Sequence, residues 1–344
     1  MTAVDRLREL IDEPLLVTMP VNVFYLTGFQ SSNAALLVDG ERAVLFSDFR
    51  YAEGARKVDG VEFVEVERAL IRGVAAHVEG RLAFERSHLT YASWEVLRDA
   101  GVDLVPGGGQ VERLRAVKSE RELELIRRAT DITNEAYLRL AEEPFVGRTE
   151  RELAFRFATF IHECGGHGEA FSTTVASGPN GAIPHARTSD RVVEKGETVV
   201  VDAGAVLDGY ASDCTRTFAT GPLPEELRRA YDVVLEAQLE GLDAVRPGAT
   251  GKEADAAARE VIVGAGLGER FGHGLGHGVG LMVHEAPTLR PESQDTLEPN
   301  NVVTVEPGVY LPGVGGIRIE DLVVVREGEP VVLTSFPKEL VTVG

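Results

Sequence analysis

Residues 197–220, ETVVVDAGAVLDGYASDCTRTFAT, place two acids in sequence that is otherwise typical of β-strands. A run of valines precedes Asp202, and small and β-branched residues surround Asp213, a composition that favours extended chain. Either acid alone could end a strand and cap a turn. An ionised carboxylate in an apolar interior is costly unless it is paired or binds a metal. The two acids are therefore candidates for a buried site.

A second strand region repeats this arrangement. Residues 300–310, NNVVTVEPGVY, carry Glu306, and residues 315–325, GGIRIEDLVVV, carry Glu320. Each glutamate again interrupts an apolar run. Four acids in such surroundings are harder to explain as separate solvated residues than as members of one site.

Two helices precede each strand region. The stretches 119–143 and 149–166 both open with a capping box, in which Ser or Thr is followed three residues later by Glu, and both keep apolar residues at helical spacing. Residues 223–248 and 250–266 repeat the helix pair before the second strand region. The recurring order predicts two halves related by a pseudo-two-fold axis. Their carboxylates would face each other across a central cleft.

Residues 1–115 follow another plan. AALLVDGERAVLFS predicts a β-hairpin about Asp39 and Gly40, VEFVEV and GRLAFE predict further strands, and RALIRGVAAHVE and YASWEVLRDAG predict helices. Strands interleaved with helices are typical of an α/β domain. Pro106 and the three glycines after it then predict a domain boundary.

The composition limits the partners and the compartment. The 344 residues carry a formal net charge of −20, which argues against binding to nucleic acid or anionic membranes. The first residues lack the apolar core of a signal peptide, and no run approaches the ~18 apolar residues of a membrane span. Because only two cysteines are present, we expect no disulfide framework and a reducing, cytoplasmic compartment.

The stretch FGHGLGHGVGLMVHE, residues 271–285, contains three histidines and five glycines. It does not match the H-E-x-x-H zinc-protease helix, because no second histidine follows His284 and Glu285 and because glycines disfavour a helix. Any further metal ligands must therefore come from elsewhere in the chain. The four acids with one imidazole would suit two divalent ions such as Mn²⁺, Co²⁺, Fe²⁺ or Zn²⁺.

The motifs VDAGA, SDCTRTF, HGLGHGVGLMVHE, VEPGVY and GIRIED, in this order, resemble those of the creatinase/prolidase/aminopeptidase P family. NVFYLTGF, near the start, is similar to the family's N-terminal domain. The resemblance implies an α/β (α+β) protein. Its N-terminal creatinase/prolidase-like domain would span 1–115, and a catalytic pita-bread domain with a pseudo-two-fold repeat would span 119–344.

The resemblance also implies roles for individual residues. Five positions match the family's ligands to two metal ions, and none is substituted: Asp202, Asp213, His277, Glu306 and Glu320. Asp213 and Glu320 would bridge the ions. Asp202 would complete one ion, and His277 with Glu306 the other. Glu306 would also act as general acid/base, and His284 would stabilise the tetrahedral intermediate. His185 and His273 would line the substrate pocket.

Family members with these histidines usually cleave before proline, so the resemblance implies a dinuclear-metal exopeptidase that hydrolyses Xaa-Pro bonds. Mn²⁺ is the expected metal, with Co²⁺ or Zn²⁺ as alternatives. The compact length favours an Xaa-Pro dipeptidase (prolidase), in which Arg290 or Arg318 would bind the carboxylate of a dipeptide. Arg318 could instead support Glu320.

Other activities stay open at this point. Aminopeptidase P, which acts on longer Xaa-Pro peptides, is the main alternative. A catalytically silent peptide-binding protein, a creatinase-like hydrolase and a methionine aminopeptidase fit less well, because the first two tend to lose metal ligands and the last does not need residues 1–115. The family's N-terminal domain mediates dimer contacts, so the resemblance implies a homodimer.

Overall fold

A six-stranded sheet forms the first of two units, Met1–Arg115, in the computed structural model, which describes residues 1–344. Its strands are β1 (Leu15–Val17), β2 (Ala34–Val38), β3 (Ala43–Ser47), β4 (Glu62–Glu65), β5 (Arg81–Phe84) and β6 (Asp103–Pro106). The order across the sheet is β4-β3-β2-β1-β5-β6, with β2 antiparallel to both neighbours and the other pairs parallel. The predicted hairpin about Asp39 and Gly40 is confirmed as β2 and β3.

Both faces of this sheet are covered by apolar side chains. Along β2, Leu36 packs into one buried cluster and Leu37 into the other, because alternate residues of a strand face opposite sides. The helices of the unit are α1 (Ala3–Arg8), α2 (Pro20–Thr27), α3 (Ala52–Ala55), α4 (Leu70–Ala75), α5 (Tyr91–Asp99) and α6 (Gln110–Ala116). The predicted α/β character of this region is confirmed.

Four longer helices belong to the second unit, Ala116–Gly344: α7 (Glu120–Ala141), α8 (Glu150–Glu163), α9 (Glu225–Ala244) and α10 (Gly251–Gly264). The three predicted capping boxes are confirmed at the starts of α7, α8 and α10, where Ser119, Thr149 and Thr250 each accept a hydrogen bond from a glutamate backbone N–H. None of the helices in the chain combines the length and apolarity that a membrane span requires.

Short antiparallel strands complete the second unit. They are β7 (Gly168–Glu169), β8 (Thr174–Ser177), β9 (Thr198–Ala203), β10 (Ala205–Leu207), β11 (Tyr210–Ala211), β12 (Cys214–Ala219), β13 (Gly276–Gly278), β14 (Glu285–Leu289), β15 (Val302–Val305), β16 (Gly308–Leu311), β17 (Gly315–Arg318), β18 (Asp321–Val324) and β19 (Val331–Val332). Their sheets have the orders β12-β9-β8, β11-β10-β7, β14-β13-β15-β18-β19 and β16-β17.

Each helix pair of the second unit packs on its own strand set. One buried cluster joins α7 and α8 to β8, β9 and β12, and another joins α9 and α10 to β15, β16, β17 and β18. This is the predicted plan of two helices and a strand set, used twice. The pseudo-two-fold repeat is therefore present in the packing as well as in the order of elements.

Candidate active site

The first pair of acids lies on the strands of the first half. Asp202 is next to last in β9, where it pairs in register with Thr215 of β12. Asp213 immediately precedes β12 and is buried. The two strands are antiparallel, so the acids are brought to the same end of this sheet.

The second pair lies in the other half and is linked to the first through Thr215. Glu306 follows β15, and Glu320 lies between β17 and β18. The Thr215 hydroxyl donates to Oε2 of Glu320 at 2.7 Å, and the Glu320 backbone N–H donates to the Thr215 carbonyl at 3.1 Å. The predicted meeting of the two carboxylate sets is confirmed by these contacts between the halves.

His277, on β13, points its Nε2 atom into this group of acids. That nitrogen lies 3.3 Å from Oε1 of Glu306 and 3.7 Å from Oδ2 of Asp213. Nδ1 lies 3.2 Å from the Gly278 carbonyl, which holds the ring in this orientation. The ligand atoms of Asp213, His277 and Glu320 all lie within 4.8 Å of one another.

These side chains change one another's pKa values. Burial, and then the negative charge of Glu320 and its neighbours, raises the pKa of Asp213 well above its ordinary range. Burial together with Glu306 and Asp202 raises the pKa of Glu320 to about 8. Burial opposes the charged form of His277, but the hydrogen bond and charge of Glu306 outweigh it and raise the pKa of His277 to about 9. Four acids thus share the cluster with only two cationic side chains, those of His277 and Arg318.

The donor set fits divalent cations. Oxygen-rich ligation with one imidazole nitrogen is the chemistry of Mn²⁺, Co²⁺ and Zn²⁺ sites. A cation among Asp213, His277 and Glu320 would favour the ionised carboxylates and so oppose the causes that raise their pKa values. The cluster is therefore a candidate metal centre on the chemistry of its own residues.

Arg318 is the one arginine buried in the cluster, and its donors are already engaged. Nη2 donates to Asp202 at 2.5 Å, and Nε donates to the Thr215 hydroxyl at 3.0 Å. Nη1 donates to the Tyr310 hydroxyl at 3.0 Å and to the Pro184 carbonyl at 3.3 Å. Asp202 is thus turned towards Arg318 and lies outside the tight group formed by Asp213, His277 and Glu320.

All ten predicted site residues line one cleft of about 610 Å³: His185, Asp202, Asp213, His273, His277, His284, Arg290, Glu306, Arg318 and Glu320. The ring of His284 packs against that of His277, with centroids 4.3 Å apart. His273 is fixed by its Nε2, which lies 2.9 Å from the Tyr310 hydroxyl. The side chain of Arg290 is exposed and makes no hydrogen bond or ion pair.

Two further cleft residues, Tyr310 and Phe171, and the buried Thr215 beside the acids carry little signal in the sequence. Thr215 and Tyr310 stand inside SDCTRTF and VEPGVY, next to the acids, and that proximity is the only indication of a role. Phe171 also lines the cleft, but nothing in its surrounding sequence marks it. Their contacts depend on chain segments that are far apart in sequence.

Comparison with known proteins identifies the family. The model described as metallopeptidase family M24 matches residues 124–327, and that of the creatinase/prolidase N-terminal domain matches residues 3–117. An Xaa-Pro dipeptidase of Pyrococcus furiosus is 35% identical over 333 residues, which are 95% of this chain and 94% of the relative.

Solved structures share the fold over the whole chain. The Xaa-Pro dipeptidase from Bacillus anthracis is 38% identical with a TM-score of 0.96, and the match covers 99% of each chain. The X-Pro aminopeptidase from Thermotoga maritima is 35% identical with a TM-score of 0.90, over 98% of this chain and 100% of the other. The resemblance and the pita-bread fold predicted from the motifs are confirmed. The chain belongs to metallopeptidase family M24, as a prolidase-type hydrolase with a creatinase/prolidase N-terminal domain.

Proposed function

We propose that the protein is an Xaa-Pro dipeptidase that works with two divalent metal ions, Mn²⁺ in the first place and Co²⁺ or Zn²⁺ as alternatives. The observation that carries this proposal is the convergence of four acids and His277 on one cleft that also holds three other histidines and the unpaired Arg290. The similarity to dipeptidases of Pyrococcus furiosus and Bacillus anthracis supports the substrate class.

Five residues would hold the ions: Asp202, Asp213, His277, Glu306 and Glu320. Two bound ions would supply an activated water and polarise the carbonyl of the scissile bond. Asp213 and Glu320, whose ligand atoms lie within 4.8 Å of that of His277, would form the centre of this site. The hydrogen bond from Thr215 would orient the carboxylate of Glu320, and Arg318 would orient that of Asp202.

Two side chains of the cleft would transfer the proton of the attacking water and stabilise the charge that develops on the substrate. Glu306 would accept and return the proton of the attacking water. His284, in ring contact with His277, would donate to the oxygen on which charge develops. Burial, followed by the neighbouring charge of His277, lowers the pKa of His284. A neutral imidazole keeps one N–H for this donation.

Arg290 is the proposed partner of the dipeptide carboxylate. A prolyl carboxylate needs a cation with free donors, and Arg290 is exposed in the cleft without a partner. Arg318 is poorly suited to that role, because Asp202, Thr215 and Tyr310 already accept its hydrogen bonds. His185 and His273 would line the pocket for the residues on either side of the bond.

The alternative is an aminopeptidase P that clips longer peptides, favoured by the similarity to the X-Pro aminopeptidase from Thermotoga maritima. We also propose a cytoplasmic homodimer that binds no nucleic acid or membrane. Its domains would be 1–115 and 119–344. The formal charge of −20 supports the exclusion of nucleic acid, and sedimentation at several protein concentrations tests the dimer.

The test compares an Xaa-Pro dipeptide, its C-terminal amide and an Xaa-Pro-Xaa tripeptide after incubation with Mn²⁺. Dipeptide turnover that exceeds turnover of the other two, and that is lost in Asp213→Ala, supports the dipeptidase. Arg290→Gln should then raise KM for the dipeptide and leave KM for the amide unchanged. A preference for the tripeptide would establish the aminopeptidase instead. If no substrate is cleaved, a silent binding protein becomes the better interpretation.

A further inference from the structure

Glu150 is a fully buried carboxylate at the first turn of α8, outside the cleft. Five donor groups surround it. Oε1 accepts from the backbone N–H and the hydroxyl of Ser177, each at 2.8 Å, and from Nδ2 of Asn180 at 3.0 Å. Oε2 accepts from the backbone N–H and hydroxyl of Ser189 at 3.0 and 2.6 Å, and from the same Asn180 nitrogen at 3.2 Å.

Ser177 and Ser189 lie at the two ends of one loop, residues 177–189, and Asn180 lies within it. His185 lies in the second half of that loop and lines the cleft, where its ring makes no hydrogen bond. The middle of the loop is also fixed. A Cβ on Gly316 would overlap the Gly181 carbonyl, and Arg318 donates to the Pro184 carbonyl at 3.3 Å. Glu150 therefore closes a loop whose central part reaches the site.

The start of α8 does not need this carboxylate. Thr149 and Glu152 already form the capping box, in which Glu152 accepts from the backbone N–H of Thr149 at 2.8 Å. All the hydrogen bonds that the Glu150 side chain accepts come from residues of the loop. A carboxylate side chain offers two oxygens that can accept from this many donors, whereas an amide in its place would present a donor of its own.

We propose that Glu150 is a positioning residue for His185: by holding both ends of the loop 177–189 it sets the imidazole in the substrate pocket. This inference rests on the proposed function, because it takes His185 to contact the peptide. Its consequence is specific. Loss of the anchor should weaken substrate binding through His185 and should leave the metal-binding cluster intact.

The experiment compares Glu150→Gln with Glu152→Gln, a matched change two residues along the same helix. The amide of Glu150→Gln would turn an N–H towards donors of Ser177 or Ser189. We expect KM for an Xaa-Pro dipeptide to rise about tenfold, with kcat within about threefold of wild type. Bound metal should match wild type. Glu152→Gln should leave KM unchanged.

A double mutant connects the effect to the histidine. If Glu150 acts through His185, then Glu150→Gln added to His185→Ala should raise KM no further than His185→Ala does alone. Ser189→Ala, which removes one hydroxyl donor without touching the carboxylate, should give a smaller rise of the same kind. It keeps the proposal testable if Glu150→Gln fails to fold.

Limited trypsin cleavage after Arg187, an exposed residue of the loop, measures how firmly Glu150 holds the loop. This measurement does not depend on peptidase activity. Wild type and Glu152→Gln should resist cleavage, and Glu150→Gln should be cut faster at this bond. Equal cleavage of all three, or KM effects that multiply in the double mutant, would overturn the proposal. If wild type cleaves no Xaa-Pro peptide, the proposed function fails, and the trypsin comparison alone then decides whether Glu150 anchors the loop.

Discussion

Tyr310 shows how one hydroxyl can couple two parts of the cleft. Its oxygen lies 2.9 Å from Nε2 of His273 and accepts from Nη1 of Arg318 at 3.0 Å. Arg318 in turn holds Asp202, so the hydroxyl lies between a pocket histidine and a proposed metal ligand. Burial raises the pKa of Tyr310, which keeps the hydroxyl protonated at neutral pH.

Tyr310→Phe should therefore reduce activity without removing metal. Loss of the hydroxyl leaves His273 and Arg318 each short of a partner, at a cost of about 1–3 kcal/mol in the free energy of unfolding. We expect kcat/KM for an Xaa-Pro dipeptide to fall roughly tenfold. Steady-state kinetics and metal analysis measure both quantities.

The matched control is Tyr231→Phe, which removes a hydroxyl that donates to the Lys338 carbonyl at 2.7 Å away from the cleft. It should change stability by a similar amount and leave kcat/KM unchanged. Equal loss of activity in both variants would show that Tyr310 matters only for folding.

At the scale of single elements, β13 needs glycine because its neighbours come unusually close. A Cβ on Gly276 would overlap the Thr304 carbonyl of the adjacent chain segment, and one on Gly278 would overlap the Ala286 carbonyl. His277 lies between them. The glycines of the histidine-rich stretch thus allow the backbone to carry a ligand into a narrow space.

Gly276→Ala should destabilise the protein by roughly 1–3 kcal/mol, the usual cost of forcing an extra methyl group into a packed interior. It should also weaken metal binding, because β13 must shift and carry His277 with it. Urea unfolding and a metal titration measure the two effects. Gly272→Ala is the control, since a Cβ there meets nothing within 4 Å. A Gly276→Ala protein as stable as this control would contradict the packing argument.

The start of α10 should make stability depend on pH. Glu253 accepts from the backbone N–H of Thr250 at 2.8 Å and from its hydroxyl at 2.9 Å, and these hydrogen bonds lower the pKa of Glu253 below its ordinary 4.5. Because the pKa of Glu253 is lower in the folded than in the unfolded chain, its carboxylate stabilises the fold at pH values above the pKa that it has in the unfolded chain. That contribution is lost as the pH falls through the lowered value.

Glu253→Gln keeps a capping oxygen but cannot ionise. The difference in unfolding free energy between wild type and this variant should be largest at about pH 7 and should shrink towards pH 3. Urea unfolding at several pH values measures it. Glu260→Gln, on the same helix at an exposed position without hydrogen bonds or ion pairs, should show a difference that does not change with pH. A constant gap for Glu253→Gln would refute the argument.

The elements that could be predicted from the sequence are those whose determinants are local. In a capping box such as Thr250 and Glu253, donor and acceptor lie three residues apart, so the pattern is visible in a short window. The same is true of the turn at Asp39. Glu150 could not be recognised in this way, because its partners lie 27 to 39 residues along the chain.

At the scale of the whole molecule, the charge balance predicts a response to metal. The cluster holds four acids with Arg318 and His277 as their nearest cations, and the pKa of Asp213 is raised well above its ordinary range by burial and by its acidic neighbours. Divalent ions that bind only the folded chain stabilise it by about 2.7 kcal/mol at a hundred times their Kd.

A chelator should therefore lower the melting temperature of wild type, and Mn²⁺ should restore it. Asp213→Ala should gain little from Mn²⁺, yet without metal it should be at least as stable as wild type because a like charge has been removed. If the two units melt separately, only the transition of Ala116–Gly344 should move, since every proposed ligand lies there. Calorimetry distinguishes these outcomes. A melting temperature insensitive to the chelator would contradict a metal-binding cluster.

The sequence by itself determined the family, the two-part organisation and the ten residues that share the cleft. Apolar spacing and capping boxes are visible within short segments of the sequence, and so are the motifs. When a motif matches that of the family, the acids and histidines within it are identified as well. Only the tertiary structure decided how those residues are used. Arg318 forms an ion pair with Asp202, 116 residues away in the sequence, and Arg290 is left unpaired in the cleft. The reason is physical: the preference of a buried cation among several acceptors depends on distances that exist only after the two halves have packed together.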